Sequence, residues 1–284
     1  MKNVTFLLPP KDLLYRVRSV FEFIRAKSTF LFFPLFRKNE KNELYRFLGR
    51  YGLTPYPGKY SLKYRSMNIE PVFDESKQMY YIVHHDKKLY FPKSYDKKHI
   101  KKVYRCLQIE QDIDSPHRYI DNYKALKGKT VLDIGAAEGI FSLDTINITK
   151  SAYLFECNPV WIEALYATFE PWKEKVTIVP LYVMDKSGDN KVTLDEFIIS
   201  HDLNDIFVKM DIEGAEYLAL TGAKKILERN DVALSVCTYH NPLDAEKVCS
   251  YLAQFGFNQS FSKGYLYCRK HMNKAIVRAQ KSNN

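Results

Sequence analysis

The chain has 284 residues, 46% of them hydrophobic, enough to bury one full α/β core plus a modest accessory region. Its five cysteines, at 106, 157, 237, 249 and 268, are scattered without metal-ligand spacing, which excludes a zinc module and a disulfide framework and suits reduced thiols in a cytoplasmic protein. The net charge of +10 implies attraction to polyanions such as nucleic acid, an anionic glycan or a lipid surface.

In residues 11–36, Leu13, Leu14, Val17, Val20, Phe21 and Ile24 repeat at helical spacing among Arg16, Arg18, Arg25 and Lys27. Such a helix can lie on the inner face of an anionic membrane, with Phe30 to Phe36 as an interfacial anchor, or pack on the domain or on a second subunit. The apolar runs are interrupted by charge and by Pro34, too soon for a membrane-spanning helix, and no cleavable signal pattern precedes them. Further on, Met79 to His84 and Lys88 to Phe91 predict two strands of a hairpin around His85-Asp86-Lys87. Residues 108–119 lead into the next region. There Ser115-Pro116 can start a helix, Arg118 can meet an acidic acceptor, and His117 is a second candidate base.

Thr130 to Gly139 place an apolar strand, a carboxylate and a small-residue turn in succession. Val131, Leu132 and Ile134 suit a buried parallel strand, while Gly135 and Gly139 allow a tight turn and close approach of a ligand to backbone. A dinucleotide fingerprint would need glycine where Ala137 stands, and Glu138 would oppose a pyrophosphate. Asp133 at the strand end suits instead a cationic amino group, as in S-adenosylmethionine. The next strand, Ser151 to Glu156, ends in a carboxylate roughly 20 residues beyond the turn, the spacing at which an acidic side chain accepts ribose hydroxyls. Cys157 would then lie against the adenine, and Asn158-Pro159 would open a helix. After a third strand, Asp185 can accept from the adenine amino group, although Asp185 to Asn190 also reads as a surface turn.

The carboxyl ends of the fourth and fifth strands carry Asp211, Glu213 and His240. His240 is the candidate general base, because imidazole titrates near working pH and a base adds roughly 10²–10⁴-fold to a rate. Asp211 and Glu213 can orient that imidazole or hold the acceptor hydroxyl. The same three could bind a divalent ion, but nothing in the sequence establishes a metal.

Candidate strands at 130–135, 151–156, 176–183, 205–212, 231–239 and 264–269 alternate with candidate helices at 139–147, 159–170, 194–200, 215–229 and 243–255. A further strand at 257–262 would form a hairpin with 264–269, making the last strand antiparallel. The motifs D-I-G-A-A-E-G at 133–139, F-E-C-N-P at 155–159, T-L-D-E-F at 193–197 and V-K-M-D-I-E-G-A-E at 208–216 resemble the FkbM family of S-adenosylmethionine-dependent methyltransferases. That resemblance spans about 115 to 270. It implies a class I methyltransferase, an α/β fold with a mostly parallel seven-stranded sheet, usually transferring methyl to an oxygen. Ala137 and Cys157 stand where many relatives carry Asn and Pro.

The expected organisation is therefore an accessory region of helix and β-hairpin at 1–114, a cofactor-binding domain at 115–272 and a loose tail at 273–284. The cofactor contacts expected are Asp133, Gly135, Ala137, Gly139, Glu156, Cys157 and Asp185. The expected acceptor is a small-molecule or glycan hydroxyl, on a sugar, polysaccharide or secondary metabolite. The rival readings are an RNA methyltransferase, favoured by charge, and a non-catalytic binding or membrane-docking protein that keeps the fold. No N-P-P-aromatic run or Pro-Cys follows the fourth strand, which weighs against base modification.

Overall fold

The computed structural model describes residues 40–241 and 243–282. The amphipathic segment expected at 11–36 lies outside the described residues. Among those that are described, no helix is long and apolar enough to cross a membrane.

The chain enters through α1 (Glu40–Tyr51) and a 3-10 turn at Lys59–Tyr64 into an antiparallel sheet of β1 (Val72–Asp74), β2 (Met79–His84) and β3 (Lys87–Tyr90). His85 and Asp86 join β2 to β3, and both take positive φ, the condition for a two-residue turn that matches strand twist. The next helix, α2 (Lys97–Glu110), starts where the Asp96 side chain accepts from the His99 N–H. It buries Ile100, Tyr104 and Leu107, one stripe at helical spacing.

The main unit follows in βα order: β4 (Thr130–Ile134), α3 (Ile140–Thr145), β5 (Ser151–Phe155), α4 (Pro159–Phe169) and β6 (Val176–Val179). A short parallel pair, β7 (Tyr182–Val183) and β8 (Lys191–Val192), precedes α5 (Leu194–Ser200) and β9 (Ile206–Met210). Then come α6 (Glu216–Thr221), α7 (Lys224–Leu227), β10 (Val232–Cys237), α8 (Asp244–Ala253) and β11 (Asn258–Phe261). A small hairpin of β12 (Leu266–Cys268) and β13 (His271–Asn273) leads to β14 (Ile276–Gln280).

The seven strands of the large sheet lie in the order β6-β5-β4-β9-β10-β14-β11. Every pair from β6 to β10 is parallel, and β14 runs antiparallel to both neighbours. This is the mostly parallel seven-stranded α/β sheet of a class I methyltransferase. The order reverses between β4 and β9, so the crevice for a ligand opens beyond their carboxyl ends.

Alternate residues of the central strands feed two core layers. Val131 and Phe207 face a cluster with Leu143, Ile146 and Leu165, and Leu132 and Val208 face another with Leu194, Ile198 and Leu227. The first cluster also contains Ile82, Leu89, Phe91 and Ile100, so the accessory sheet and α2 share a core with the main unit. His84, buried, adds a polar tie: its Nδ1 lies 2.9 Å from the Tyr104 hydroxyl and its Nε2 2.8 Å from Asp144 Oδ1 of α3.

Four expectations change. The strand at 176–183 is divided at Pro180, which has no N–H for a ladder, and Tyr182 and Val183 pair with β8 instead. The helix at 215–229 is two helices separated at Gly222, where a Cβ would fall 2.4 Å from the Met184 carbonyl oxygen. The hairpin expected from 257–262 and 264–269 does not form. β11 pairs with β14, and 266–268 belongs to the side hairpin. Residues 276–280 are therefore not tail: Ile276, Val277 and Ala279 are buried between β10 and β11, and the main unit extends past 272. The gain from burying those three side chains outweighs the shorter loop.

Candidate active site

The glycine turn leaves β4 at Gly135, whose φ of 77° belongs to the left-handed region. A Cβ there would lie 1.9 Å from the Asp211 carbonyl oxygen, so the turns after β4 and β9 touch backbone to backbone. Gly139, at the start of α3, packs likewise against Leu165 and Phe169. Ala137 takes a φ of 45° between them, and its N–H donates to Glu156 Oε2 at 2.9 Å. The other oxygen of Glu156 accepts from the Asn158 N–H at 2.7 Å. Glu156 thus ties the glycine turn to the start of α4, which Asn158 caps by accepting from the Val160 N–H. Cys157 meets Tyr182 of β7, the next residue along that rim.

Asp133 is placed otherwise than expected. It is fully buried behind the turn, accepting from Ser142 Oγ at 2.7 Å and paired with Lys209 Nζ at 2.8 Å. Lys209 also donates to the Gly135 carbonyl oxygen at 2.5 Å. The carboxylate expected to attract a cationic ligand already has a buried counter-ion, and its role is to hold the turn. Sequence reasoning missed Lys209. A lysine in the middle of the apolar strand Ile206–Met210, buried at every residue, is itself the signal that an acid lies across the sheet. Asp133 is its partner in the β4–β9 register.

Asp185 follows β7 with its backbone against Gly222. Among the described residues, no recorded contact joins it to Glu156 or Cys157. Glu138, weighed in the sequence only as a charge opposing pyrophosphate, stands inside the turn. Its carboxyl is pushed up to about 7, first by burial and then by the charges of Glu110 and Glu156.

Asp211, Glu213 and His240 come together one turn further along the crevice. His240 Nε2 lies 3.4 Å from Asp211 Oδ1 and 3.7 Å from Glu213 Oε2. Glu213 is at the rim with its side chain 91% exposed, whereas the His240 side chain is 4% exposed. The other imidazole nitrogen, Nδ1, faces Glu216 Oε1 at 3.0 Å. Glu216 is buried at the start of α6, and the same oxygen accepts from the backbone N–H groups of Ile212 and Gly214. By its sequence position alone, Glu216 reads as a helix N-terminal acid that complements the dipole. The structure makes it the residue that shapes the 211–216 turn and faces the imidazole.

A second half of the cluster comes from the segment before β4. The Tyr119 hydroxyl donates to Asp211 Oδ2 at 2.9 Å, and His117 Nε2 lies 3.4 Å from the same oxygen. His117 Nε2 is also 3.0 Å from the Tyr239 hydroxyl, which donates to Asp211 Oδ1 at 3.4 Å. Tyr56 packs edge-on to His117 and donates to Glu110 at the end of α2. Arg118 does not face this cavity: its guanidinium donates to the carbonyl oxygens of Ile120 and Gln111. Two imidazoles and two phenols therefore surround one carboxylate.

The electrostatics follow from that ring. Burial alone would raise the pKa of Asp211, but His117, Lys209 and His240 outweigh it and hold the carboxyl well below its usual range. Burial alone would lower His240, but Glu216, Asp211 and Glu213 outweigh it and raise it. His117 is raised in the same way, chiefly by its contact with Asp211 against the effect of burial. An anionic carboxylate beside imidazoles of enhanced basicity can orient a hydroxyl and accept its proton. One donor atom each from Asp211, Glu216 and His240 also lies within 4.8 Å of the other two, a spacing open to a divalent ion as well as to protons.

Sheet order and the two touching turns at its switch point define the class of the protein, a class I methyltransferase fold. Residues 184–258, from the end of β7 to the start of β11, match the Methyltransferase FkbM domain. That stretch contains Asp185, Lys209, Asp211, Glu213, Glu216 and His240. A search of the curated proteins gives no match.

Among solved structures, the chain is similar to the methyltransferase FkbM from Methylobacillus flagellatus KT, with 15% identity, a TM-score of 0.45, and coverage of 65% of this chain and 55% of that one. It is also similar to a putative RNA methyltransferase from Pyrococcus horikoshii, with 14% identity, a TM-score of 0.38 and coverage of 56% and 77%. A putative methyltransferase from Streptococcus mutans in complex with SAH matches at 16% identity and a TM-score of 0.37, covering 56% and 95%. The chain thus spans only about half the length of the Methylobacillus protein.

Proposed function

We propose that this protein transfers the methyl group of S-adenosylmethionine to a hydroxyl of a sugar, polysaccharide or secondary metabolite. The observation that carries the reading is the ring of His117, Tyr119, Tyr239 and His240 around Asp211, pressed against the glycine turn at Gly135. Few arrangements other than proton removal beside a bound cofactor would call for two basic imidazoles on one buried carboxylate at a switch point.

The residues present fit the cofactor. Gly135, Ala137 and Gly139 leave its backbone cradle free of large side chains, and Glu156 keeps unused lone pairs at the rim for ribose hydroxyls. Cys157 and Tyr182 offer a wall for the adenine. Asp185, just past β7, accepts from the adenine amino group. Once bound, the cofactor supplies an electrophilic methyl on its sulfonium.

The chain's own part is alignment and proton removal. Asp211 accepts from the acceptor hydroxyl and fixes its direction. His240 Nε2 takes the proton, and Glu216 at Nδ1 stabilises the imidazolium that forms. Glu213, exposed beside Nε2, passes the proton to water. The test is release of S-adenosylhomocysteine over a panel of glycans, small hydroxylated metabolites, nucleotides and RNAs. Turnover on sugars or small hydroxyls supports the reading. Efficient methylation of RNA alone, or no binding of S-adenosylmethionine by calorimetry, overturns it.

A further inference from the structure

Both residues of the turn between β2 and β3 take positive φ, 47° at His85 and 66° at Asp86, a backbone that glycine adopts at least cost. Neighbours on a strand point to opposite faces, yet the left-handed backbone at His85 brings its ring back to within 4.3 Å of the His84 ring, centroid to centroid. His84 is buried at the end of β2, and Asp144 reaches it from α3. One ligand atom from each of His84, His85 and Asp144 lies within 4.8 Å of the other two. None of the three belongs to the ring around Asp211.

The groups behind these three side chains are those that hold a ligand set in place. His84 Nε2 lies 2.8 Å from Asp144 Oδ1, and its Nδ1 lies 2.9 Å from the Tyr104 hydroxyl of α2. A metal on Nε2 leaves the ring proton on Nδ1, where the Tyr104 oxygen accepts it, the outer contact that orients a ligating imidazole. The second oxygen of Asp144 accepts from the Tyr123 hydroxyl at 3.3 Å. A tie between His84 and Asp144 alone would need no third group. His85 has no hydrogen-bond partner among the described residues, yet its ring stands beside that pair.

We infer that His84, His85 and Asp144 bind one zinc ion, which fastens the accessory sheet to α3. Two imidazoles and a carboxylate leave the fourth tetrahedral position to water, on the side where His85 is exposed. Mg²⁺ and Ca²⁺ take six or more ligands, nearly all oxygens, and this set supplies one carboxylate. No cysteine is needed, so the cysteine spacing that excludes a thiolate module leaves this set open. Zinc bonds of about 2.0–2.1 Å place tetrahedral ligand atoms about 3.3 Å apart. The His84–Asp144 pair is already within that spacing, and rotation of the exposed His85 side chain closes the remaining gap, at most about 1.5 Å. α3 also carries Ser142, which holds Asp133 behind the glycine turn, so the ion braces the helix that supports the cofactor loop.

The test is calorimetric titration of the untagged, chelator-stripped full chain with zinc chloride. The wild-type protein should take up one ion with a dissociation constant of about 1 μM or tighter. His85→Ala, at an exposed turn position, should fold as the wild type does and weaken binding about 100-fold, since losing even an outer partner of a ligand costs about 10–100-fold. Asp144→Asn should act in the same direction. His240→Ala takes a group from the other metal-capable cluster and should leave zinc affinity unchanged. Zinc should also raise the melting temperature of the wild type but not that of His85→Ala. No zinc uptake by the wild type, zinc held as tightly by His85→Ala, or zinc lost in His240→Ala overturns the inference. So does uptake of Mg²⁺ with the affinity of zinc.

Discussion

Asp133 and Asp211 belong to the carboxyl ends of adjacent parallel strands, two residues apart in register, and their surroundings are opposite. Asp133 is sealed behind the turn with one lysine and one hydroxyl, while Asp211, one residue past the end of β9, opens on the crevice among two imidazoles and two phenols. The difference is one of depth. An acid inside the strand is neutralised by a cation fixed in the neighbouring strand, and an acid beyond it meets groups that can exchange protons. A carboxylate at a strand end is therefore not a ligand contact until its counter-ion is known.

The sharpest way to break the comparison is to exchange the costs. Lys209→Met should leave Asp133 buried without a counter-ion and cost about 3–5 kcal/mol of folding stability, read from denaturant midpoints. Asp133→Asn combined with Lys209→Met should recover most of that loss. A Lys209→Met protein as stable as wild type would show that the pair does not hold the turn.

Asp211→Asn should do the reverse. It should lower turnover by roughly 10²–10⁴-fold, leave cofactor affinity within about twofold, and cost little stability. His240→Ala should act in the same direction. Normal turnover in the His240→Ala enzyme would pass the proton to His117, which already touches Asp211.

Glu156→Ala tests the rim on the other side of β4, after β5. It should weaken S-adenosylmethionine binding by about 1–3 kcal/mol, through lost ribose contacts and an unpaired Ala137 N–H. Unchanged affinity in a folded variant would remove Glu156 from the cofactor site.

A smaller effect is expected on pH. The folded pKa of His240 is raised, so the stability from its contacts with Glu216 and Asp211 is full below about 6.5 and is lost as pH rises through the raised value. As a base, His240 acts in its neutral form, so turnover should climb over the same window in which that stability declines. Glu216→Gln removes one charge that favours imidazolium and should shift the acid limb of the pH profile downward by about one unit or less. An upward shift would contradict the assignment. Chelation should have no effect, since protons and hydroxyls already satisfy Asp211. Loss of turnover with EDTA, restored by Mg²⁺ or Mn²⁺, would give the cluster to a metal.

Much of this was legible in the sequence, for local reasons. Glycine spacing marks the turn at 135–139, and mostly apolar five-residue segments mark β4, β5 and β9, broken by Asp133 in β4 and Lys209 in β9. Asp211, Glu213 and His240 were recognisable because each follows such a run. What escaped was long-range: the Asp133–Lys209 pair depends on strand register, and Tyr119 reaches Asp211 across 92 positions of sequence. Glu216 was misjudged because its sequence position suits a dipole role, while its burial and its bonds to Ile212 and Gly214 depend on how α6 docks. β14 was hidden because Arg278 breaks its apolar pattern. That guanidinium leaves the sheet edgewise to meet the Arg118 and Tyr119 carbonyl oxygens and Asp121.

The placement of β14 also sets an order of events during synthesis. It fills the gap between β10 and β11, yet it is the last of the seven strands to be made. Until residue 280 has emerged, β10 presents an unpaired inner edge backed by Leu234 and Val236, and β11 has no neighbour at all. The nascent chain must therefore carry an open, apolar sheet edge from the completion of β10 until β14 has emerged, the condition in which edges recruit foreign strands. Closing the sheet is an insertion between two strands already made, with the β12–β13 hairpin folded aside. It joins partners 16 to 47 residues apart, so it is expected to be a late and comparatively slow step of folding.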